Sequence, residues 1–177
     1  MAASQPLFSP DLISPAVSSS LPSPYKVRPL ERGDYGKGFL DCLRVLTHIG
    51  DISEKQFIER YEFMATQGKG TYYFVVIDDG TRIVGTGALI VEKKFIHDFG
   101  TIGHIEEISV LKDQQGKSLG KKVIETLNDV AVNVGCYKTI LNCSEENEKF
   151  YAKCGYSRGS LEMTNYFEVE KSSYYRG

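Results

Sequence analysis

The sequence has almost no net charge and no long apolar run, and each absence argues against a class of function. Its 21 Lys and Arg residues stand against 23 Asp and Glu, which gives a formal net charge of -2. A protein that binds nucleic acid through the phosphates normally has a basic excess. No stretch approaches the roughly 18 consecutive apolar residues of a membrane span. We therefore expect neither a nucleic-acid partner nor a transmembrane segment.

Cysteine is sparse, and its spacing indicates no metal site or disulfide framework. The four residues are Cys42, Cys136, Cys143 and Cys154, with no CxxC pair and no His at metal-ligand spacing. Free thiols of this kind are typical of a reducing compartment. Residues 1–25 contain no Lys or Arg, so a secretory or transit peptide is not expected. We predict a cytoplasmic protein without a metal cofactor.

Proline is concentrated at one end of the chain. Five of the six prolines and a cluster of serines precede Tyr25. Such a composition offers too little apolar surface for a packed core. The overall 41% hydrophobic and 25% charged residues are ordinary for one globular domain. We predict a disordered tail over residues 1–24, a domain over 25–169 and a C-terminal tail over 170–177.

Hydrophobic periodicity predicts the element order β-α-α-β-β-β-α-β-α-β. A capping box, Ser53-x-x-Gln56, marks the start of the second helix, and Asp79-Gly80 marks a turn between strands. The strand–helix–strand unit over 104–141 requires a parallel pair beside an antiparallel meander. The predicted fold class is α/β (α+β), with a mixed, mostly antiparallel sheet and helices on both faces. Its last strand is expected over 161–169.

The segment from Ile108 to Val123 carries the clearest chemical signal. A strand leads through a polar, glycine-containing loop directly into an amphipathic helix. Unpaired N–H groups at such a helix start carry partial positive charge and suit a phosphate or pyrophosphate. Neither the P-loop nor the dinucleotide fingerprint is present. Taken alone, a loop of this kind is more often a plain connection than a binding site.

Within this segment the chain resembles a known family. The stretch Gln115-Gly116-Lys117-Ser118-Leu119-Gly120 resembles the acetyl-CoA pyrophosphate loop of the GNAT N-acetyltransferases, Q/R-x-x-G-x-G/A, with Ser118 in place of the middle glycine. Residues 46–50, 103–108, 135–138 and 147–156 are similar to the eukaryotic glucosamine-6-phosphate N-acetyltransferases of that superfamily. The resemblance covers about residues 25–167 and leaves both tails outside.

The resemblance implies a fold, a reaction and an assembly. The fold is that of the acyl-CoA N-acyltransferases, in which the sheet splays where acetyl-CoA enters. The reaction is direct transfer of acetyl from acetyl-CoA to the 2-amino group of D-glucosamine 6-phosphate in a ternary complex. Its product, N-acetyl-D-glucosamine 6-phosphate, feeds UDP-N-acetylglucosamine biosynthesis. The sugar site of these relatives is built across a two-fold interface, so a homodimer is implied.

The resemblance also implies a cofactor site. A strand backbone pairs with the pantetheine arm as an added strand would, the loop takes the pyrophosphate, and a later helix supplies contacts to the arm and the 3′-phosphate. The residues implied are Ile108, Ser109, Val110, Gln115, Gly116, Lys117, Ser118, Leu119, Gly120, Lys121, Asn147, Phe150, Tyr151 and Lys153.

Three residues are implied in catalysis. Tyr151 can donate a hydrogen bond to the departing thiolate, although spacing alone would favour an ordinary half-buried tyrosine. Glu106 and Asn142 border the reacting amine. Many relatives carry an acid at the position of Asn142, and an amide cannot act as a base. The proton acceptor is therefore left open between solvent and Glu106.

The residues implied in sugar binding are Thr47, Lys93, Lys94, Glu106, Glu107 and Asn142. Strand alternation predicts that only one of the two lysines points into the site. It also predicts that the side chains of Glu106 and Glu107 point to opposite faces.

Two histidines and two other functions are the alternatives. His97 and His104 are the evident general-base candidates without the family, but a strand position favours a structural hydrogen bond for His104. Another enzyme of the same fold could acetylate a polyamine or a protein amine, whereas Lys93 and Lys94 favour an anionic sugar. A non-catalytic CoA-binding module is the alternative of a different class. Tyr151 and Glu106 argue against it.

Overall fold

A single mixed sheet organises the protein, and the computed structural model describes it within residues 5–167. The strands lie in chain order β1-β2-β3-β4-β5. All neighbours are antiparallel except β4 and β5, which are parallel. The predicted meander and its parallel pair are therefore confirmed. The strands are β1 (Lys26–Pro29), β2 (Tyr72–Asp78), β3 (Ile83–Lys93), β4 (Thr101–Val110) and β5 (Lys138–Ile140).

Helices cover both faces of this sheet. Helix α5 lies on one face and buries Val123, Ile124 and Leu127 against the central strands. Helices α2 and α3 lie on the other face, where Phe39 and Phe57 pack in one cluster with strand residues. The α-helices of the described residues are α1 (Pro15–Ser18), α2 (Phe39–Leu43), α3 (Glu54–Ala65), α4 (Ile96–Phe99), α5 (Leu119–Asn133) and α6 (Glu145–Lys153).

Local signals in the sequence set several element boundaries. The Ser53 backbone N–H donates to Gln56 Oε1 at 2.9 Å and the Gln56 N–H to Ser53 Oγ at 3.4 Å, which confirms the capping box of α3. Between β2 and β3, Gly80 has a φ of 96° and its N–H donates to Asp78 Oδ1 at 2.8 Å. The strand that follows is almost entirely buried. None of the helices in the described part of the chain is long and apolar enough to cross a membrane.

The N-terminal segment differs from the disordered tail expected over residues 1–24. Residues 5–24 lie on α5 and the sheet, and the side chains of Leu7, Ile13 and Leu21 are buried. Asn133 Nδ2 donates to the Leu12 carbonyl at 3.0 Å, and the Ser14 N–H donates to Asp129 Oδ2 at 2.6 Å. A few apolar residues separated by prolines cannot fold alone, but α5 supplies the surface that covers them. The segment thus extends the core.

Replacing Ile13 with Ala tests this packing. We expect Ile13→Ala to lower the free energy of unfolding by about 2–4 kcal/mol, because it leaves a cavity against α5. Urea denaturation measures the change, with Ser18→Ala, an exposed position on the same segment, as the control. A mobile tail would instead leave the denaturation midpoint of Ile13→Ala at the wild-type value.

The C-terminal segment also differs from its prediction. No strand forms over the described residues 161–167 of the strand expected at 161–169. Leu161, Met163 and Phe167 are all more than 90% exposed. A strand requires a partner edge for its N–H and C=O groups, and this segment pairs with no strand among the described residues. The rest of that strand and the tail over 170–177 lie outside the described residues.

An ion cluster holds the β1 edge of the sheet to the segment before α2. Arg28 donates to both carboxylate oxygens of Asp34 at 2.8 and 2.7 Å, and to Asp78 at 2.8 Å. Lys37 Nζ lies 2.8 Å from the same Asp78 carboxylate. Partial burial tends to raise the pKa of Asp78, but the hydrogen bonds from Lys37 and Arg28 outweigh it and lower that pKa to about 2.

This depressed pKa sets the pH range over which the cluster stabilises the fold. Its contribution is complete above the ordinary Asp pKa of 3.8 and is lost as the pH falls toward about 2. We expect Asp78→Asn to be less stable than wild type at pH 7 and to lose less stability between pH 4 and pH 2. Thermal unfolding followed by circular dichroism across that range measures both effects. Asp41→Asn, which removes an exposed pair with Arg44, is the control. A parallel acid response in Asp78→Asn and wild type would contradict the assignment.

Candidate active site at the opening between strands four and five

The parallel strands β4 and β5 are paired over only a short distance. Their register joins Ile102 to Lys138, Gly103 to Thr139 and His104 to Ile140. Strand β4 continues to Val110, whereas β5 ends at Ile140. Beyond His104, no described strand pairs with this edge of β4. The sheet therefore opens beside Ile108–Val110, where the resemblance implies the pantetheine arm.

A bulge in β4 lies at the mouth of this opening. The register with β3 shifts between Thr86 and Ala88, so that β4 carries one extra residue, and Glu107 has a φ of 54°. Gly87 lies opposite the bulge. A Cβ at Gly87 would lie 2.6 Å from both Ile108 Cδ1 and Val123 Cγ1, so the side chains of β4 and α5 require glycine there.

The bulge corrects the expectation that the side chains of Glu106 and Glu107 alternate. Regular alternation assumes extended backbone, and the left-handed residue Glu107 interrupts it. Both side chains are exposed at the opening. Partial desolvation raises the pKa of Glu107, and the neighbouring charge of Glu106 raises it further. Desolvation also raises the pKa of Glu106. Two proton-accepting groups therefore lie side by side on one strand.

A cleft of about 390 Å³ lies next to Glu106, lined by Ile90, Val91, Glu92, His104 and Glu106. Glu92 contacts two nitrogen-bearing side chains at its rim. Its Oε2 lies 2.9 Å from His104 Nε2, and its Oε1 accepts from Lys94 Nζ at 2.6 Å. The pattern of charges along the sequence did not single out Glu92. The sequence feature that could have identified Glu92 is its position two residues before Lys94, on the strand that the predicted meander pairs with the strand of His104.

The two lysines at the end of β3 are placed differently. Lys94 is turned back toward the cleft by its pair with Glu92. Lys93 is paired with Thr101 across the sheet and alternates with Glu92, so its side chain projects from the opposite face. Of the two lysines, Lys94 is therefore the one whose side chain lies at the cleft.

Tyr151 lies on α6, and its ring is held between two aromatic neighbours. The ring centroids of Phe150 and Tyr156 lie 5.0 and 6.2 Å from that of Tyr151. Burial raises the pKa of Tyr151 to about 12, with smaller contributions from Cys143 and Cys154. The phenol therefore keeps its proton at neutral pH and can act as a hydrogen-bond donor.

A polar triad fixes the segment that follows α6. Tyr156 Oη donates to Asn128 Oδ1 at 2.8 Å and lies 2.8 Å from Thr139 Oγ1, which itself donates to Asn128 at 2.9 Å. These contacts tie α5, β5 and the end of α6 together. Near the start of α5, Gly120 lies against Phe150 of α6. A Cβ added to Gly120 would lie 3.3 Å from Phe150 Cζ. The position of Tyr151 is thus set by packing on both sides.

The loop before α5 has the geometry of an anion cradle. Gly116 and Ser118 have φ values of 81° and 61°, so Ser118 adopts the left-handed backbone that the expected glycine would take. The Ser118 side chain forms no capping hydrogen bond with α5. The first N–H groups of this 15-residue helix are therefore left without a capping side chain from Ser118. Gln115 Nε2 donates to the Val110 carbonyl at 3.3 Å and closes the loop onto β4.

Positive charge near this loop is already engaged within the chain. Lys117 Nζ donates to Gln114 Oε1 at 2.7 Å and to Tyr25 Oη at 3.1 Å. Lys121 and Glu125 form a pair at 3.7 Å. These are exposed, exchangeable contacts that a phosphate could replace.

Three of the remaining candidates lie on or beside β5 and α6, and the fourth, Thr47, comes from the loop after α2. Asn142 follows β5, and Lys153 ends α6. Asn147 Nδ2 donates to Ser144 Oγ at 3.2 Å near the start of that helix. Thr47 is exposed in the loop after α2, on the side of the sheet that carries the cleft. Of the sugar candidates, Glu106 lines the cleft and Lys94 pairs with the cleft residue Glu92, whereas Lys93 points away from it.

Comparisons with known proteins agree with this architecture. Residues 37–156 match the acetyltransferase (GNAT) family. The chain is 45% identical over 143 residues to the glucosamine 6-phosphate N-acetyltransferase of Candida albicans, covering 81% of this chain and 96% of that protein. It is 41% identical to glucosamine 6-phosphate N-acetyltransferase 1 of Dictyostelium discoideum, covering 85% and 96%.

A solved structure is similar over the same region. The crystal structure of glucosamine-6-phosphate N-acetyltransferase from Arabidopsis thaliana aligns with a TM-score of 0.78 at 42% identity, covering 81% of this chain and 99% of that one. This chain belongs to the acetyltransferase (GNAT) family.

Proposed function

We propose that this protein transfers the acetyl group of acetyl-CoA to the 2-amino group of D-glucosamine 6-phosphate. The observation that carries the proposal is that Tyr151, on the cofactor side, lies close to Glu106, which lines the acceptor cleft. Tyr151 lies near enough to Glu106 for that carboxylate to contribute to the raised pKa of the phenol, and the same cleft is lined by Glu92, which pairs with Lys94. The relatives named above carry this activity in their names.

The cofactor's binding follows from the open edge of β4. The backbone of Ile108–Val110 pairs with the pantetheine arm, as an added strand pairs with an exposed edge. The first N–H groups of α5, with Gly116 and Lys121, take the pyrophosphate. Asn147 contacts the arm, and Lys153 supplies a cation for the 3′-phosphate. Phe150 packs against Gly120 and closes this side of the slot.

Acetyl transfer needs a neutral amine and a stabilised leaving group. The amine nitrogen attacks the thioester carbonyl, a C–N bond forms, and the C–S bond breaks. Tyr151, protonated because its pKa is about 12, donates to the departing sulfur and stabilises charge present only in the transition state. Glu106 and Asn142 orient the amine by accepting its hydrogen bonds.

The acceptor's identity follows from charge. Lys94 binds the 6-phosphate, exchanging its contact with Glu92 for a phosphate oxygen. Glu107 and Thr47 form hydrogen bonds with the sugar hydroxyls. A cationic polyamine would meet Lys94 with like charge but also the carboxylates of Glu92 and Glu106, so the comparison with spermidine decides between the two acceptors.

The assembly is a homodimer. Two apolar surfaces of the described chain support this: the turn with Phe95 and Phe99, which are 90% and 75% exposed, and the segment with Leu161 and Phe167. Exposed apolar groups of this size are typical of interaction surfaces. Sedimentation equilibrium would give the dimer mass, whereas a monomer at all concentrations would contradict the assignment. The four free thiols suit the cytoplasm, where the substrates would be found.

Thiol release from acetyl-CoA tests the function directly. The acceptors to compare are glucosamine 6-phosphate, glucosamine, glucosamine 1-phosphate and spermidine. Turnover confined to the 6-phosphate is the expected result. Preferential turnover of spermidine would replace the acceptor, and absence of release with every amine would favour a CoA-binding module.

A further inference from the structure

His104 is held by a carboxylate in a defined orientation at the rim of the acceptor cleft. Glu92 Oε2 lies 2.9 Å from His104 Nε2. A carboxylate can only accept a hydrogen bond, so Nε2 carries the hydrogen of this pair. In the neutral ring the lone pair is then on Nδ1. This is the carboxylate–imidazole arrangement by which a neighbouring acid fixes the tautomer of a histidine base.

Glu92 remains ionised in this arrangement. Hydrogen bonds from Lys94 and then His104 lower the pKa of Glu92. Its charge can therefore stabilise an imidazolium when the ring gains a proton. Before the phosphate binds, Lys94 occupies the other oxygen at 2.6 Å; once Lys94 turns to the phosphate, the contact with His104 still holds the carboxylate.

His104 and Glu106 present their side chains on the same face of β4. They are two residues apart and precede the bulge at Glu107, and both line the cleft. The surroundings of the ring are more negative than positive. The charged groups around the ring and its carboxylate neighbours are Glu92 and Lys94 on the β3 side, Glu106 and Glu107 on β4, Glu162 from the C-terminal segment and Arg60 from α3.

Resting on the function proposed above, we infer that His104 accepts the proton that the substrate ammonium loses before attack, with Glu92 as its positioning residue. Asn142 cannot take this proton because an amide is not a base at neutral pH. The ammonium gives one proton to His104 Nδ1 and becomes a neutral amine. That amine attacks the thioester carbonyl, Tyr151 gives its proton to the sulfur as the C–S bond breaks, and the second proton leaves the nitrogen and restores the Tyr151 phenol. His104 returns its proton to solvent, so one amide, one thiol and one proton are formed.

Two variants at His104 test the inference. We expect His104→Gln to lower kcat by about 100-fold, the usual minimum effect of losing a general base. The fall of kcat toward acid pH, which reports protonation of that base in the bound complex, should disappear with it. His104→Ala should regain activity when free imidazole is added, in proportion to the unprotonated imidazole. His97→Gln, at a histidine outside the cleft, is the matched control for activity.

A variant at Glu92 separates positioning from folding. Glu92→Gln leaves the ring in place but removes the charge that favours its protonation. Its kcat should fall by a smaller factor, and the acid limb of the kcat profile should move to lower pH. Glu59→Gln, which removes an exposed carboxylate paired with Lys55, should leave the profile unchanged. Acetyl-CoA binding, measured by calorimetry, checks that each variant is folded. If His104→Gln does not fold, the pH profile of Glu92→Gln tests the role of His104 instead.

The outcomes distinguish this inference from the function on which it rests. If wild type does not acetylate glucosamine 6-phosphate, the proposed function fails. If wild type is active and His104→Gln keeps its kcat and acid limb, the inference alone fails. An increase confined to KM, or an acid limb unmoved in Glu92→Gln, would likewise overturn it and assign the pair a structural role.

Discussion

Tyr151→Phe should lower kcat by roughly 100- to 1000-fold while leaving the KM for acetyl-CoA nearly unchanged. The substitution removes one hydrogen-bond donor aimed at charge that develops in the transition state, and losses of this size are typical for such a donor. The ring itself remains, so its contacts with Phe150 and Tyr156 persist. Steady-state thiol release at saturating acetyl-CoA measures the effect.

The pH profile gives a second test of the same phenol. Because its pKa is about 12, Tyr151 loses its proton only in strong alkali. We therefore expect no alkaline fall in kcat from this group between pH 7 and pH 10. Tyr137→Phe, at a half-exposed position at the start of β5, is the control. A Tyr151→Phe variant with wild-type kcat would show that the tyrosine is only a packing residue.

Lys94→Gln is expected to raise the KM for glucosamine 6-phosphate by about 10- to 100-fold. A hydrogen bond to a charged group contributes about 1.5–3 kcal/mol, and each 1.4 kcal/mol is a tenfold change. The KM for unphosphorylated glucosamine should change little, because that sugar has no phosphate for Lys94 to bind. Initial rates with both sugars give the comparison.

Lys93→Gln provides the matched control for this effect. It removes the same charge one residue earlier, on the face of β3 away from the cleft. Equal KM increases in the two variants would mean that the lysines act only through general electrostatic attraction. A larger effect at Lys93 would contradict the orientation that the pair between Lys94 and Glu92 indicates.

The sequence predicted helices and turns well where the interactions that form them lie within one short stretch of the chain. The capping box at Ser53 and the turn at Asp79-Gly80 each involve hydrogen bonds within a few residues. The amphipathic pattern of α5 likewise identified the helix and the face that is buried. The parallel pair followed from chain order alone, since a strand–helix–strand unit returns in the same direction.

The predictions that failed depended on partners distant in the sequence. Residues 5–24 looked unable to form a core, yet Ile13 and Leu21 are buried because α5 lies beside them. The strand expected over 161–169 had a suitable composition, but its described part pairs with no strand and leaves β5 at the edge of the described sheet. Composition reports what a segment can bury, and only the fold decides what is available to cover it.

The site shows the same division. The sequence by itself determined the glycine-containing loop before α5, the aromatic helix with Tyr151 and the presence of Lys93 and Lys94, because each is a contiguous stretch. Only the tertiary structure decided that β4 parts from β5 after His104, that a bulge at Glu107 breaks the alternation with Glu106, and that Glu92 holds Lys94 and His104 together. The physical reason is that strand register and cross-strand contacts join residues far apart in the chain, which no local pattern encodes.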